Sequence, residues 1–90
     1  MLPAIRKKQK LVGRVRRMRG QMEALERLLE AEVPSADILN LVASVRGALN
    51  GLTAELVEDH LREHVLSAPD DRSRQQGADD LVEVVRTYLR

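Results

Sequence analysis

Residues 35–66 read SADILNLVASVRGALNGLTAELVEDHLREHVL. Apolar side chains fall at Ile38, Val42, Val45, Leu49, Leu52 and Leu56, in alternating steps of four and three that line one face of an α-helix. Leu41, Ala48 and Val57 widen this seam, so helix 2, about 35–66, needs more than one partner. Gly47 and Gly51 stand inside it among Ala43 and Ala54. Interior glycines cost roughly 1 kcal/mol each, which points to close approach of another backbone. Asn50 lies between them and needs a hydrogen-bond partner wherever it is buried.

The same spacing recurs upstream at Leu11, Val15, Met18, Met22, Leu25 and Leu29, which predicts helix 1 over about 5–31. Pro34 cannot continue the ladder and pushes Val33 out of helical geometry, so the connection is a short turn between antiparallel neighbours. Residues 67–77 hold many turn formers without periodicity and predict an exposed loop. Helix 3 follows over about 78–89, with Leu81, Val82, Val85 and Leu89 on its apolar face. Asp79 and Asp80 open it and Arg86 and Arg90 close it, as the helix dipole favours. The fold class is therefore all-α, three helices in a single domain over 1–90. Helices 1 and 2 would each be ~40 to 45 Å long, and one hairpin cannot enclose the wide face of helix 2, whereas two hairpins in an antiparallel four-helix bundle can.

Composition narrows the chemistry. Ninety residues with one Tyr and neither Phe nor Trp have little bulk for a private core, so self-association is expected. The absence of cysteine removes disulfides, Cys-based zinc sites and thiol nucleophiles. No apolar run approaches the ~20 residues that cross a bilayer, and MLPAIRKKQK lacks the apolar region of a signal peptide, so a cytoplasmic protein without a membrane partner is expected.

Net charge is +1, but residues 1–22 hold eight Lys or Arg and no acid, while residues 23–90 hold seven basic and fourteen acidic residues. Such a block is either a solvated helix face or a site for a polyanion. Lys10, Arg14 and Arg17 form one row beside the Leu11 seam, and Arg16 and Arg19 point to other sides. No aromatic side chain is interleaved, which favours a duplex backbone over unpaired bases. Helices this long do not form a helix-turn-helix.

His60 and His64, in DHLREH, stand four apart, a spacing that lets both imidazoles reach one metal ion or leaves two polar residues on a wet helix end. Leu61 occupies the place of the general base in the H-E-x-x-H motif of zinc proteases, so no hydrolase, and no enzyme, is expected. Two imidazoles with Asp59 and Glu63 nearby and no thiolate suit Ni²⁺, Co²⁺ or Zn²⁺ and not Cu⁺.

The stretches RVRRMRGQMEALERLLE (14–30), LVASVRGALNGLTAELVEDHLREHV (41–65) and DDLVEVVRTYLR (79–90) together resemble the CsoR/RcnR/FrmR family of small bacterial repressors that sense copper, nickel and cobalt, or formaldehyde. The resemblance covers nearly the whole chain. It implies an antiparallel four-helix-bundle dimer, a disk-shaped tetramer made of two such dimers, and binding to double-stranded operator DNA. The basic block supplies the expected DNA contacts, Lys10, Arg14, Arg16, Arg17 and Arg19. The resemblance also implies an effector site between subunits, with His60 and His64 late in helix 2 as in the nickel- and cobalt-sensing branch.

Two positions depart from the family. Its cysteine at the head of helix 2 falls on Ser35, and the N-terminal histidine of the nickel and cobalt branch falls on Pro3. Ser35 reads as a helix N-cap or as a poor metal ligand. The formaldehyde branch needs that cysteine and an N-terminal proline, whereas here Leu2 precedes Pro3 and should keep Met1 in place. The expectation is a repressor of a metal efflux or resistance gene, released from DNA by a divalent metal (nickel or cobalt, possibly zinc), with no organic cofactor. The alternatives are a same-fold repressor with a lost or altered effector site, one of the formaldehyde-type lineage, or a helical scaffold that binds no DNA.

Overall fold

The computed structural model describes residues 5–88, and every described element is helical: α1 Ile5–Glu30, α2 Ser35–Leu61, a π-helical turn Arg62–Leu66, and α3 Asp71–Tyr88. Met1, Leu2, Pro3, Leu89 and Arg90 lie outside the described residues. The chain divides into two compact units, Met1–Leu52 and Thr53–Arg90.

In the first unit α1 and the beginning of α2 run antiparallel. The Gln21 side-chain amide donates to Ser44 Oγ at 2.9 Å, and Arg14 lies against Gly51. Leu11, Met18 and Leu25 of the α1 seam are half-buried, as are Ile38, Val45 and Leu52 of the α2 seam. The alternate members face out: Val15 is 50% exposed, Met22 51%, Leu29 58% and Leu49 50%. Each seam is thus split into an inner and an outer row.

The turn between α1 and α2 closes on a left-handed residue, Glu32, with φ of 56°. Its N–H reaches the Leu29 carbonyl and the Val33 N–H reaches the Leu28 carbonyl, so the last carbonyls of α1 are satisfied before Pro34.

In the second unit α3 packs back along the end of α2, with Thr53 Oγ1 3.5 Å from the Tyr88 hydroxyl and His60 Nε2 2.9 Å from the Gly77 carbonyl oxygen. Helix α3 begins at Asp71, seven residues ahead of the expected Ala78, so most of the expected loop is helix. Polar side chains support those nearly two extra turns. The Asp70 carboxylate accepts the Ser73 N–H at 2.7 Å, and Arg74 pairs with Asp71 at 2.7 Å. Gln75 donates to Asp79 and Gln76 to Asp80, each one helical turn ahead.

Gly77 is a buried helical residue, not a turn former. A Cβ there would overlap the His64 carbonyl, so its lack of a side chain lets α3 seat against the π-helical turn. Arg74 closes the same corner, donating from Nε to the Val65 carbonyl at 3.2 Å and from Nη2 to the Ala68 carbonyl at 3.3 Å.

Candidate metal centre and nucleic-acid interface

His60 ends the regular part of α2, and His64 sits inside the π-helical turn. The wider turn keeps both rings on one side, with centroids 4.8 Å apart and planes at 42°. A carbonyl oxygen can only accept, so the contact between His60 Nε2 and Gly77 requires the proton on Nε2 and leaves the Nδ1 lone pair for a ligand. His64 is exposed, and its Nε2 is 3.9 Å from Glu63.

An open groove joins both imidazoles to Arg72, Gln76 and Asp80, spaced one turn apart from the first turn to the middle of α3. Asp59 and Glu63 are the carboxylates that helix 2 itself offers, whereas Asp80 comes from α3, out of reach of any spacing rule, with its carboxylate held at 2.9 Å by the Gln76 amide. Among the described residues no three His, Asp or Glu side chains converge on one point. One chain therefore presents two imidazoles, fewer protein donors than the three or four usual for zinc. The pair suits a nitrogen- and oxygen-bound divalent ion completed by further donors.

Ser35 is the first residue of α2 and is exposed. Its hydroxyl makes no hydrogen bond among the described residues, and the first turn is closed by the Asp37 N–H donating to the Pro34 carbonyl at 3.1 Å. The N-cap reading of Ser35 is corrected accordingly: a residue already inside the first turn cannot aim its hydroxyl back at the free N–H groups.

Of the five cations singled out on α1, Lys10, Arg16, Arg17 and Arg19 are exposed, and Arg14 is half-buried. The Arg14 guanidinium packs onto α2, where a Cβ on Gly51 would overlap Nη2 and lie 3.6 Å from Cζ. This alters the reading of the helix 2 glycines. What approaches Gly51 is a side chain and not a backbone, and among the described residues nothing outside its own stretch of helix comes within 4 Å of a Cβ at Gly47. No helix among the described residues is long and apolar enough to cross a membrane.

Comparison with known proteins places this geometry among relatives. A match described as metal-sensitive transcriptional repressor spans residues 7–87. The chain is 36% identical over 90 residues to the transcriptional repressor RcnR of Salmonella paratyphi B, covering all of both chains. It is 44% identical over 86 residues to an uncharacterized protein in the bioA 5′ region of Serratia marcescens, covering 94% of each. Among solved structures it resembles a Glu-to-His variant of the formaldehyde-responsive regulator FrmR of Salmonella enterica serovar Typhimurium, with a TM-score of 0.89, 41% identity and coverage of 97% and 99% of the two chains. It shares the fold of the copper-sensing repressor CsoR with Cu(I) from Geobacillus thermodenitrificans, with a TM-score of 0.91 at 23% identity over 100% and 95% of the chains.

Proposed function

The chain belongs to the metal-sensitive transcriptional repressors, and on that premise we propose that it binds duplex operator DNA through α1 and releases it on binding Ni²⁺ or Co²⁺, with Zn²⁺ as a further candidate. The family consists of transcriptional repressors and not of enzymes. The observation that carries the effector assignment is the imidazole pair, 4.8 Å apart at the end of α2 in a chain without cysteine. Nitrogen donors without sulfur favour the later divalent first-row ions over Cu⁺. His60 and His64 hold the ion, and Gly77 orients His60 through the Nε2 hydrogen bond.

Exposed Lys10 and Arg17, with half-buried Arg14 beside them, give α1 a cationic row, and exposed Arg16 and Arg19 add charge on its other sides, without an acid before Glu23. That face suits phosphates spaced along a duplex. The outer rows of both seams support assembly into a dimer or tetramer, in which the effector site lies between subunits. The regulated gene is one for metal efflux or resistance, and the site of action is the cytoplasm.

One observation favours a second reading, a repressor whose effector site has changed: exposed Ser35 stands at the position of the family's thiolate. Titrating Ni²⁺, Co²⁺ and Zn²⁺ while following operator affinity separates the two. Loss of DNA affinity on metal addition, abolished by His60→Ala, supports the first. A wild-type protein indifferent to all three metals that becomes responsive on Ser35→Cys supports the second.

A further inference from the structure

The hairpin of α2 and α3 has a fixed register. Thr53 faces Tyr88, His60 faces Gly77, and the Val65 carbonyl faces Arg74, so each step forward along α3 is a step back along α2. Arg72 therefore falls on the His64 side of Gly77 and Asp80 on the His60 side, all along one open groove. The neighbouring arginines are committed: Arg62 pairs with Glu58 at 2.8 Å and Arg74 with Asp71 at 2.7 Å. Among the described residues the exposed Arg72 guanidinium makes neither a hydrogen bond nor an ion pair.

A cation lining a site for cations calls for a physical reason. Two neutral imidazoles leave a divalent ion with its full charge, and Arg72 in the same groove repels that charge unless an anion intervenes. The chain's own carboxylates do not fill the gap. Asp80 is held by Gln76, Glu63 stands 3.9 Å from His64 Nε2, and among the described residues no three potential ligands converge.

We infer that Arg72 is an anion-binding residue of the metal centre: its guanidinium holds a small oxyanion, carbonate or a carboxylate, which supplies oxygen donors to the ion on His60 and His64. The fork of N–H donors on a guanidinium matches such an anion, and the anion lowers the net charge of the groove. Nitrogen from the chain and oxygen from the anion form a mixed set that Ni²⁺ and Co²⁺ accept. The inference rests on the reading of His60 and His64 as metal ligands and adds a co-ligand that the chain does not contain.

The test titrates Ni²⁺ and Co²⁺ into the full chain, its Arg72→Gln variant, and a blank carrying His60→Ala and His64→Ala. Each titration is run in carbonate-free chloride and, at equal ionic strength, with bicarbonate or with acetate. Bicarbonate or acetate should tighten Ni²⁺ binding to the wild type about tenfold over chloride, the worth of one charge-assisted contact at a partly exposed site. The same salt should shift the visible absorption bands of bound Co²⁺, which report its donor set. A response to one salt alone supports the inference and identifies the anion. Arg72→Gln should lose both effects, and in chloride it should bind Ni²⁺ at least as tightly as the wild type, because a like charge has gone. An equal response to the anions in wild type and Arg72→Gln, or no response in either, would overturn the inference while leaving the histidine site standing. Metal uptake no greater than that of the blank would overturn it together with the reading on which it rests.

Discussion

Glu32 closes α1 in a left-handed conformation, with φ of 56°, that a side chain disfavours. Glycine at such a position is unstrained but loses more freedom on folding, so the two effects partly cancel. Glu32→Gly should therefore raise stability by roughly 0.5–1 kcal/mol, read as a higher melting temperature. Asp70 gives a pH-dependent case. The Ser73 N–H, followed by the Ser73 hydroxyl, holds its carboxyl below the usual range. A depressed folded-state pKa contributes stability that is fully present above the unfolded value of about 3.9 and is lost as pH falls through the lower folded value. Asp70→Asn keeps an acceptor for Ser73 without titrating, so its melting temperature should vary less than wild type between about pH 5 and pH 2. A parallel decline in both proteins would show that other carboxylates govern acid sensitivity. The imidazoles of the candidate site were legible in the sequence because helical spacing alone brings i and i+4 together. The partners Gly77, Gln76 and Asp80 were not, because they come from a helix whose start the apolar pattern does not mark.

Helices α1 and α2 were readable because apolar steps of four and three persist for their whole length. The first turns of α3 have no such signal. Their stability comes from an Asp70 cap and from side-chain pairs one turn apart, in a composition that also suits loops. Nor does spacing reveal that each seam divides into inner and outer rows, since both rows obey the same period. The joint between the π-helical turn and α3 depends on Arg74, whose one guanidinium reaches two carbonyls and Asp71. Arg74→Ala should cost about 1–2 kcal/mol, below the full value of charged hydrogen bonds because the group is partly exposed. Faster hydrogen exchange should be confined to Val65–Gly77, and protection unchanged there would assign the corner to Gly77 packing instead. On α1, Arg17→Ala should weaken duplex DNA binding and flatten its salt dependence, whereas Arg86→Ala on α3 should leave both nearly unchanged. Equal effects would remove the case for α1 as the DNA-binding helix.

At the scale of the molecule, Ala68, at 9% exposure, is the one buried hydrophobic residue among those described. Val15, Met22 and Leu29 on α1, with Val42, Leu49 and Leu56 on α2, form outer rows that a chain alone leaves in water. Fully burying one such side chain stabilises by about 1.5–3 kcal/mol, so covering both rows outweighs what the half-buried inner contacts can supply to a separate chain. Patches of this kind in a small chain are interface candidates, and a bundle of two hairpins is one arrangement that would cover them. Folding is then coupled to assembly, and the melting temperature should rise with protein concentration. Leu49→Ala should lower the melting temperature and the fraction assembled together, by about 2–5 kcal/mol per buried side chain, and Leu49→Asp should abolish both by placing an unpaired carboxylate in the contact. Sedimentation alongside melting over a hundredfold concentration range, roughly, makes the decision. A folded 10.1 kDa species whose melting temperature ignores concentration would show that the outer rows are tolerated in water, and the assembly argument would fall with them.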